Sequence, residues 1–149
     1  VVSGARVPLC WGHDSWVLGA SPTLEACGGT CTLTPQPITV GAGLEIAFLS
    51  GDPAGDAVIG VTGAGELIGW GSNYGHVLDP SATVSARPSV VRLPSLGGRL
   101  PSALAIGRQT ACAILGEPPE VWCWGANEVG QLGRGYPSVD EGLAAPVCW

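Results

Sequence analysis

Three consecutive residues, His13, Asp14 and Ser15, are the types that make a hydrolase triad. In such a triad the serine attacks, the histidine takes its proton and the aspartate orients the imidazole. Neighbouring residues on an extended chain point to opposite sides, so these three side chains cannot line up in that way. We therefore interpret Asp14 as a turn residue, and His76, the other histidine, as a surface side chain of a loop.

Metal and cofactor chemistry has equally little support. Asp52 and Asp56 in the segment GDPAGD would supply oxygens to calcium, but calcium takes about six to eight oxygen ligands, so a bulged turn is the favoured interpretation. The chain contains no lysine, which excludes a Schiff-base lysine and the lysine of a phosphate-binding loop. The sequence predicts no enzyme, no cofactor and no metal site.

The six cysteines indicate the compartment. A zinc site needs clustered Cys and His ligands, and the sequence has no Cys-x-x-Cys pair. An even count with plausible pairs favours an oxidised protein over a set of buried free thiols, so we expect an extracellular or cell-surface location. Cys27 and Cys31 enclose only three residues, and as a pair they would hold a turn in a stretch rich in Gly, Pro and Thr.

The elements that position these residues are set by a repeat. Trp-Gly pairs occur at 11, 70 and 124, at spacings of 59 and 54 residues. An Asn or Asp stands three residues after each tryptophan, at Asp14, Asn73 and Asn127, and a leucine follows at Leu18, Leu78 and Leu132. Self-similarity of this kind is typical of stacked supersecondary units.

Each unit is predicted to contain a β-hairpin. The segment CAILGEPPEVWCWG (112–125) aligns with VIGVTGAGELIGWG (58–71) without a gap, as two apolar arms around a turn. Cys112 and Cys123 lie on opposite arms, and the aligned positions in the earlier copy, Val58 and Gly69, lack both cysteines. We therefore predict a disulfide between Cys112 and Cys123.

The residues around each tryptophan carry two further predictions. We expect Trp11, Trp70 and Trp124 to end a strand with the ring in the core. The glycine that follows would turn the chain with a positive φ, which glycine adopts at little steric cost.

This pattern resembles the regulator-of-chromosome-condensation type of β-propeller repeat. The motifs are ACAI at 111–114, VWCWG-x-Asn at 121–127, GQLG-x-G at 130–135 and a later Pro-Val. The resemblance covers most of 57–149 and only short pieces of 1–56. It implies four-stranded blades in a ring larger than this chain makes. Family members include nuclear exchange factors for a small GTPase, but an acidic, lysine-free chain with paired cysteines disfavours that role.

The resemblance implies an all-β fold in one domain, 1–149, of propeller-type blades with antiparallel strands. We predict two full blades, at approximately 37–79 and 88–135, with partial blade strands at 5–12 and 146–149. Propellers close with roughly four to eight blades, so the chain is not expected to close a ring alone. Unpaired edge strands invite pairing with another chain.

Composition agrees with a folded β protein and excludes two classes of partner. The chain has 24 Gly and 13 Pro, but 46% of its residues are hydrophobic. The net charge is −6 with single scattered arginines, which disfavours nucleic acid. No apolar run reaches the length of a membrane span. The chain begins at Val1 rather than Met, so we expect either a removed leader or a piece of a longer polypeptide.

Cys10 and Cys148 are the remaining cysteines, and each lies on a partial blade strand. We predict that they bond to each other, preferably between neighbouring copies, which would give a ring or a filament. A clasp within one chain is the alternative. The sequence thus predicts a secreted, non-enzymatic structural or interaction protein completed by other copies or a partner. A segment of a larger secreted binding propeller, such as an inhibitor or adhesion module, is the second possibility.

Overall fold

The computed structural model of the chain describes residues 8–13, 31–38, 45–54, 56–79, 86–92 and 96–148. These ranges contain three antiparallel sheets. Sheet I pairs β1 (Leu9–His13) with β2 (Cys31–Pro37). Sheet II has the order β3 (Ile46–Gly51), β4 (Ala57–Thr62), β5 (Leu67–Ser72) and β6 (Ala86–Arg92). Sheet III has the order β7 (Pro101–Ile106), β8 (Thr110–Leu115), β9 (Glu120–Ala126) and β10 (Asp140–Pro146).

The predicted all-β class is confirmed. The one helical element in the described ranges is a 3-10 turn at Tyr74–His76. Apolar and β-branched side chains favour the central strands of sheet II, and the Gly-Ala-Gly turn at 63–65 reverses the chain between β4 and β5. A hydrogen bond from the Glu66 amide to the Thr62 hydroxyl oxygen, 3.1 Å, helps to hold this turn.

The same irregularity marks all three tryptophan strands. The residues on either side of Trp11 pair with β2 residues that are four apart, Thr32 and Gln36. Equivalent four-residue offsets lie opposite Trp70 and Trp124. A bulge increases local twist and redirects the side chain at that point. β1, β5 and β9 are therefore equivalent strands of one repeating unit, and so are β2, β6 and β10.

The strand after each tryptophan loop closes the preceding sheet, whereas the sequence predicted that it opens the next one. β2, β6 and β10 each pair with the tryptophan strand just before them in the chain. The two four-stranded blades therefore span 46–92 and 101–146, and the boundaries predicted at 37–79 and 88–135 began one strand too early. The strand predicted at 146–149 to open a further blade is not formed in the described residues, because Pro146 ends β10 and residues 147–148 follow it without a strand. A periodic sequence can be divided at any strand, so only the hydrogen-bonded pairing identifies the true boundary.

The hydrophobic core lies between the sheets. One cluster joins sheets II and III and is built on buried side chains such as Ile59, Leu67, Ala113 and Trp124. A second cluster joins sheets I and II through Ile38, Ile46, Ile68 and Trp70, with Cys10 packed against it. Each sheet is thus stabilised mainly by contact with its neighbour, as in a stacked blade architecture.

Candidate protein-interaction surfaces

The residues with possible catalytic chemistry form no site in the part of the chain that the structure describes. His13 ends β1, and its predicted neighbours Asp14 and Ser15 lie outside the described residues. His76 lies in the loop after β5 with a positive φ of 57°. Within the described ranges, no three His, Cys, Asp or Glu side chains lie close enough together to hold a metal ion.

Asp52 lies in a tight turn between β3 and β4. Its backbone amide donates to the Ala57 carbonyl at 2.9 Å, and its Oδ1 accepts from the Ala54 amide at 3.1 Å. Its Oδ2 is buried and accepts no hydrogen bond. One carboxylate that organises its own turn does not make a cation site, because calcium needs several converging oxygens.

A buried asparagine organises the loop that follows each tryptophan strand. We call residues 73–79 exit loop II and residues 127–139 exit loop III. The Asn73 Oδ1 accepts from the Leu78 and Asp79 amides at 2.9 Å each, and its amide donates to the Asp79 carbonyl at 3.1 Å. These bonds satisfy backbone groups of a loop that has no strand partner.

Asn127 makes the equivalent hydrogen bonds in exit loop III. Its Oδ1 accepts from the Leu132 amide at 3.0 Å, and its Nδ2 donates to the Tyr136 carbonyl and the Ser138 hydroxyl at 2.9 Å each. Asn73 and Asn127 are 2% and 0% exposed, so their role is structural. The third member of this set, Asp14, and its leucine partner Leu18 lie outside the described residues.

The glycine after each tryptophan has the predicted positive φ, and at two positions it is also needed for close contact. The φ angles are 104° at Gly71 and 113° at Gly125. A Cβ at Gly71 would collide with the Asp56 carbonyl oxygen, and a Cβ at Gly125 with the Gln109 carbonyl oxygen. These glycines let the tryptophan strand lie directly against the neighbouring turn.

Two of the three repeat tryptophans are buried against the preceding sheet. Trp70 is 0% exposed and packs with Ile38 at the end of sheet I. Trp124 is 3% exposed, and its Nε1 donates to the Val77 carbonyl of exit loop II at 2.9 Å. A buried tryptophan needs a partner for its N–H, and here the preceding exit loop supplies it.

Trp11 does not lie in the core, so that prediction was wrong. The ring is 63% exposed, and its neighbour Leu9 is 52% exposed. Cys10, between them, packs against the cluster that joins sheets I and II, so Leu9 and Trp11 point to the opposite side of β1. The burial of this tryptophan comes from a preceding sheet, and no sheet precedes sheet I among the described residues. We call the exposed side of sheet I with Leu9 and Trp11 the leading face.

Sheet III has an exposed side at the other end of the stack. Cys112 and Cys123 are opposite each other on β8 and β9 and are joined by a disulfide, with 4.1 Å between their Cα atoms. Ile114 on the same side of β8 is 38% exposed, and Val129 in exit loop III is 85% exposed. We call this side, with Cys112, Ile114, Val121 and Val129, the trailing face.

The register of the two hairpins differs by one residue from the gapless alignment. Ala111 pairs with Trp124, whereas Val58 pairs with Trp70. The turn of sheet III is one residue longer, so the structural counterparts of Cys112 and Cys123 are Ile59 and Gly69, which pair in sheet II. The predicted counterpart of Cys112, Val58, was therefore one position off.

The predicted bond between Cys10 and Cys148 is not formed within the chain. Cys10 and Cys148 are both free thiols, so the within-chain clasp is absent. Cys10 is half-buried, and burial raises the pKa of its thiol. Cys148 is exposed. Cys27 lies outside the described residues, so its pairing with Cys31 stays a prediction.

A charged cluster sits beside the turn of sheet III. Arg99 bonds Glu120 at 2.5 Å and lies 5.5 Å from the Trp122 ring centre, and Trp122 Nε1 donates to Glu120 at 3.0 Å. The hydrogen bond from Arg99, then that from Trp122, and the attraction of the guanidinium lower the pKa of the Glu120 carboxyl. This cluster braces the β8–β9 turn.

Sequence reasoning missed Arg134 and Val129. The Arg134 Nη2 donates to the Cys123 carbonyl at 2.7 Å, and two longer bonds of 3.4 Å reach the Leu143 and Pro146 carbonyls, so it ties exit loop III to β9 and β10. Its Nε is buried without a partner. Val129 could have been noticed because it stands where the earlier copy has Gly75.

The comparisons with known proteins show the fold. No family model matches the chain, and no curated protein does. Among solved structures, Prp20p from Saccharomyces cerevisiae superposes with a TM-score of 0.72 at 17% identity, over 94% of this chain and 34% of that one. Yeast RCC1 (Prp20) bound to Kap60 gives a TM-score of 0.70 at 16% identity, over 94% and 32%.

Human WBSCR16 matches with a TM-score of 0.67 at 22% identity, over 80% of this chain and 29% of its own. The chain therefore spans about a third of the length of the structures it matches. None of its described helices is long and apolar enough to cross a membrane. The three stacked sheets, with a buried Trp-Gly-x-Asn unit in sheets II and III, have the fold of RCC1-type β-propeller blades.

Proposed function

We propose that this chain is a non-enzymatic structural or interaction protein, extracellular or at the cell surface, whose outer blade faces are covered by neighbouring copies or by a partner protein. The observation that supports this most is the exposure of Trp11 at 63%, at a position where the other two units bury the ring at 0% and 3%. A large apolar side chain that is exposed at a position where the other repeat units bury it indicates a protein interface.

The leading and trailing faces lie at the two ends of one stack, which favours proteins over small molecules as partners. A small-molecule ligand would require a deep pocket with converging polar groups. The solved structures point the same way, because yeast RCC1 (Prp20) was solved bound to Kap60, and Prp20p is described by its binding to Gsp1p and histones. From these two structures we take only that the partner of this chain is a protein.

Sedimentation and native mass spectrometry of the purified chain test this proposal. We expect species larger than 15.0 kDa whose share rises with concentration between about 1 and 100 μM, the range of weak protein interfaces. A single 15.0 kDa species throughout would remove self-association. It would then favour the second candidate, a segment of a larger secreted binding propeller, which the one-third coverage of the matched structures supports.

The extracellular location is supported by the disulfide between Cys112 and Cys123, because such bonds persist in oxidising compartments. Production in a reducing and in an oxidising compartment checks it. We expect soluble, oxidised protein mainly from the oxidising compartment. Equal yield and equal stability of the reduced chain would contradict this location.

A bond between Cys10 of one copy and Cys148 of the next remains part of the proposal. Cys148 is exposed and available, whereas Cys10 is half-buried with a raised pKa and would react slowly. Non-reducing electrophoresis decides the point. A dimer or ladder that collapses with reductant supports the bond, and one monomer band in both lanes rejects it.

A further inference from the structure

The contact between sheets II and III is a template for a contact that the chain leaves unmade at its two ends. In the template, the Trp124 ring lies against exit loop II and its Nε1 donates to the Val77 carbonyl. Trp11 is the equivalent tryptophan on the leading face, and Gln131 in exit loop III is the equivalent of Val77 by the shared spacing from the tryptophan. The chain thus carries both halves of one interface, and neither half is covered by another sheet among the described residues.

Two hydrogen bonds from backbone amides recur in the two exit loops. The amides of His76 and Gly130 donate to the Asn73 and Asn127 carbonyls, each at 3.0 Å. In both loops the asparagine Oδ1 accepts from the amide of the leucine five residues on. From these shared hydrogen bonds we infer that the Gln131 carbonyl is the counterpart of the Val77 carbonyl.

The two exit loops differ at one residue that would face a covering sheet. In exit loop II, a Cβ at Gly75 would collide with the Gln109 carbonyl oxygen in the β7–β8 turn, and would come within 2.9 Å of the Ala126 amide nitrogen. Exit loop III has Val129 at that position, 85% exposed. Gly75 has a φ of 66°, whereas Val129 has no positive φ, so the backbone differs at this position and Val129 is an exposed apolar side chain of the trailing face.

We propose that the trailing face of one copy binds the leading face of a second copy, with Trp11 seated on exit loop III and its Nε1 donating to the Gln131 carbonyl. This inference rests on the proposed function and names its partner. Two copies joined head to tail at both ends bring up to six sheets together, which lies within the roughly four to eight blades of closed propellers. The expected species is therefore a dimer, of twice 15.0 kDa. This contact does not depend on the proposed Cys10–Cys148 bond, because Cys10 packs against the cluster that joins sheets I and II and not on the leading face.

Sedimentation of single variants in a Cys148→Ser background tests the two faces separately. Trp11→Ala should raise the dissociation constant roughly 30-fold or more, as the loss of an aromatic anchor does. Trp11→Phe, which keeps an apolar ring but removes the donor, should raise it about three- to tenfold. Leu100→Ala is the matched control, because Leu100 is 64% exposed and lies beside the sheet II turn, away from both faces.

A mixing experiment tests the head-to-tail geometry. Val129→Arg should abolish the dimer from the trailing side. Neither Trp11→Ala nor Val129→Arg alone retains an intact interface, but an equal mixture of the two restores one, so the dimer mass should reappear. Circular dichroism and the melting curve of each variant establish that it is folded.

The outcomes separate this inference from the broader proposal. If the wild-type chain assembles but Trp11→Ala and Trp11→Phe leave the dissociation constant unchanged, or the mixture stays monomeric, the head-to-tail contact is overturned while self-association stands. If wild type binds a different protein and not itself, the second copy is the wrong occupant. If wild type stays at 15.0 kDa, self-association itself is rejected.

Discussion

Sheets II and III are built on the same repeat but are stabilised differently, because among the described residues sheet II packs against two other sheets and sheet III against one. In sheet II the central cross-strand pair is Ile59 and Gly69, and Ile59 is 0% exposed in the core shared with sheet III. At the same place sheet III has the Cys112–Cys123 disulfide. A covalent link thus stands where an apolar contact with a next sheet would otherwise stabilise the pair.

Arg134 adds to this difference. It lies in exit loop III and reaches carbonyls of β9 and β10, which braces the loop against its own sheet. Sheet III, which packs against one other sheet among the described residues, thus carries the disulfide and the Arg134 bonds, whereas sheet II packs against sheets I and III.

The largest expected effect concerns the two buried tryptophans, Trp70 and Trp124, each of which packs against the preceding sheet. Trp70→Ala and Trp124→Ala should each lower the free energy of unfolding by about 3–5 kcal/mol, since each removes a buried ring and leaves a cavity. Trp11→Ala should change it by less than about 0.5 kcal/mol at a concentration where the chain is monomeric. Urea denaturation measures all three. A Trp11 effect as large as the others would contradict the exposed position of its ring.

The second prediction separates the covalent link from the apolar contact. Replacing Cys112 and Cys123 together by Ala should lower stability by about 3 kcal/mol, because the bond restricts the unfolded chain. Ile59→Ala should cost a similar amount, about 2–5 kcal/mol, through lost packing. Adding reductant should destabilise the wild type and Ile59→Ala more than the double alanine variant, in which only the predicted Cys27–Cys31 bond remains within the chain. An equal reductant effect on all three would show that the Cys112–Cys123 bond is not the one that stabilises the fold.

The third prediction concerns a feature that both sheets share. Asn73→Asp and Asn127→Asp keep the oxygen that accepts the leucine amide but replace the amide that donates to a backbone carbonyl. Each substitution should lower the free energy of unfolding by about 2 kcal/mol, because a buried side-chain oxygen then faces the backbone carbonyl oxygen that had accepted the hydrogen bond. Thermal unfolding of the two variants measures this loss of stability. A cost in one loop only would show that the two exit loops are not equivalent.

The smallest effect is pH-dependent and confined to sheet III. The pKa of Glu120 is lowered from its ordinary value of 4.5 by Arg99 and Trp122. Its ion pair therefore contributes stability above that ordinary value, and the contribution disappears as the pH falls through the lowered pKa. Glu120→Gln should be less stable than wild type at pH 7 and equal to it at strongly acidic pH. Glu128→Gln, which removes a carboxylate from exit loop III, is the control and should show no such convergence.

The repeat, the all-β class and the partners of several residues could be predicted from the sequence because they depend on local spacing. Cys112 and Cys123 sit on two arms of one hairpin, so their proximity follows from a short turn. The positive φ of Gly71 and Gly125 likewise follows from a Trp-Gly-x-Asn turn. The pairs of strands that share a sheet depend on hydrogen bonds across longer connections. For that reason the predicted blades began one strand too early.

The fate of the three tryptophans shows what the sequence by itself determined and what only the tertiary structure decided. The sequence determined that Trp11, Trp70 and Trp124 occupy equivalent places, and the same bulge at each confirms it. Burial was decided by the stacking of sheets, because the ring is covered by the exit loop of a different unit. A repeat motif specifies its own strand and turn, but water is excluded from its ring only where another sheet lies against it.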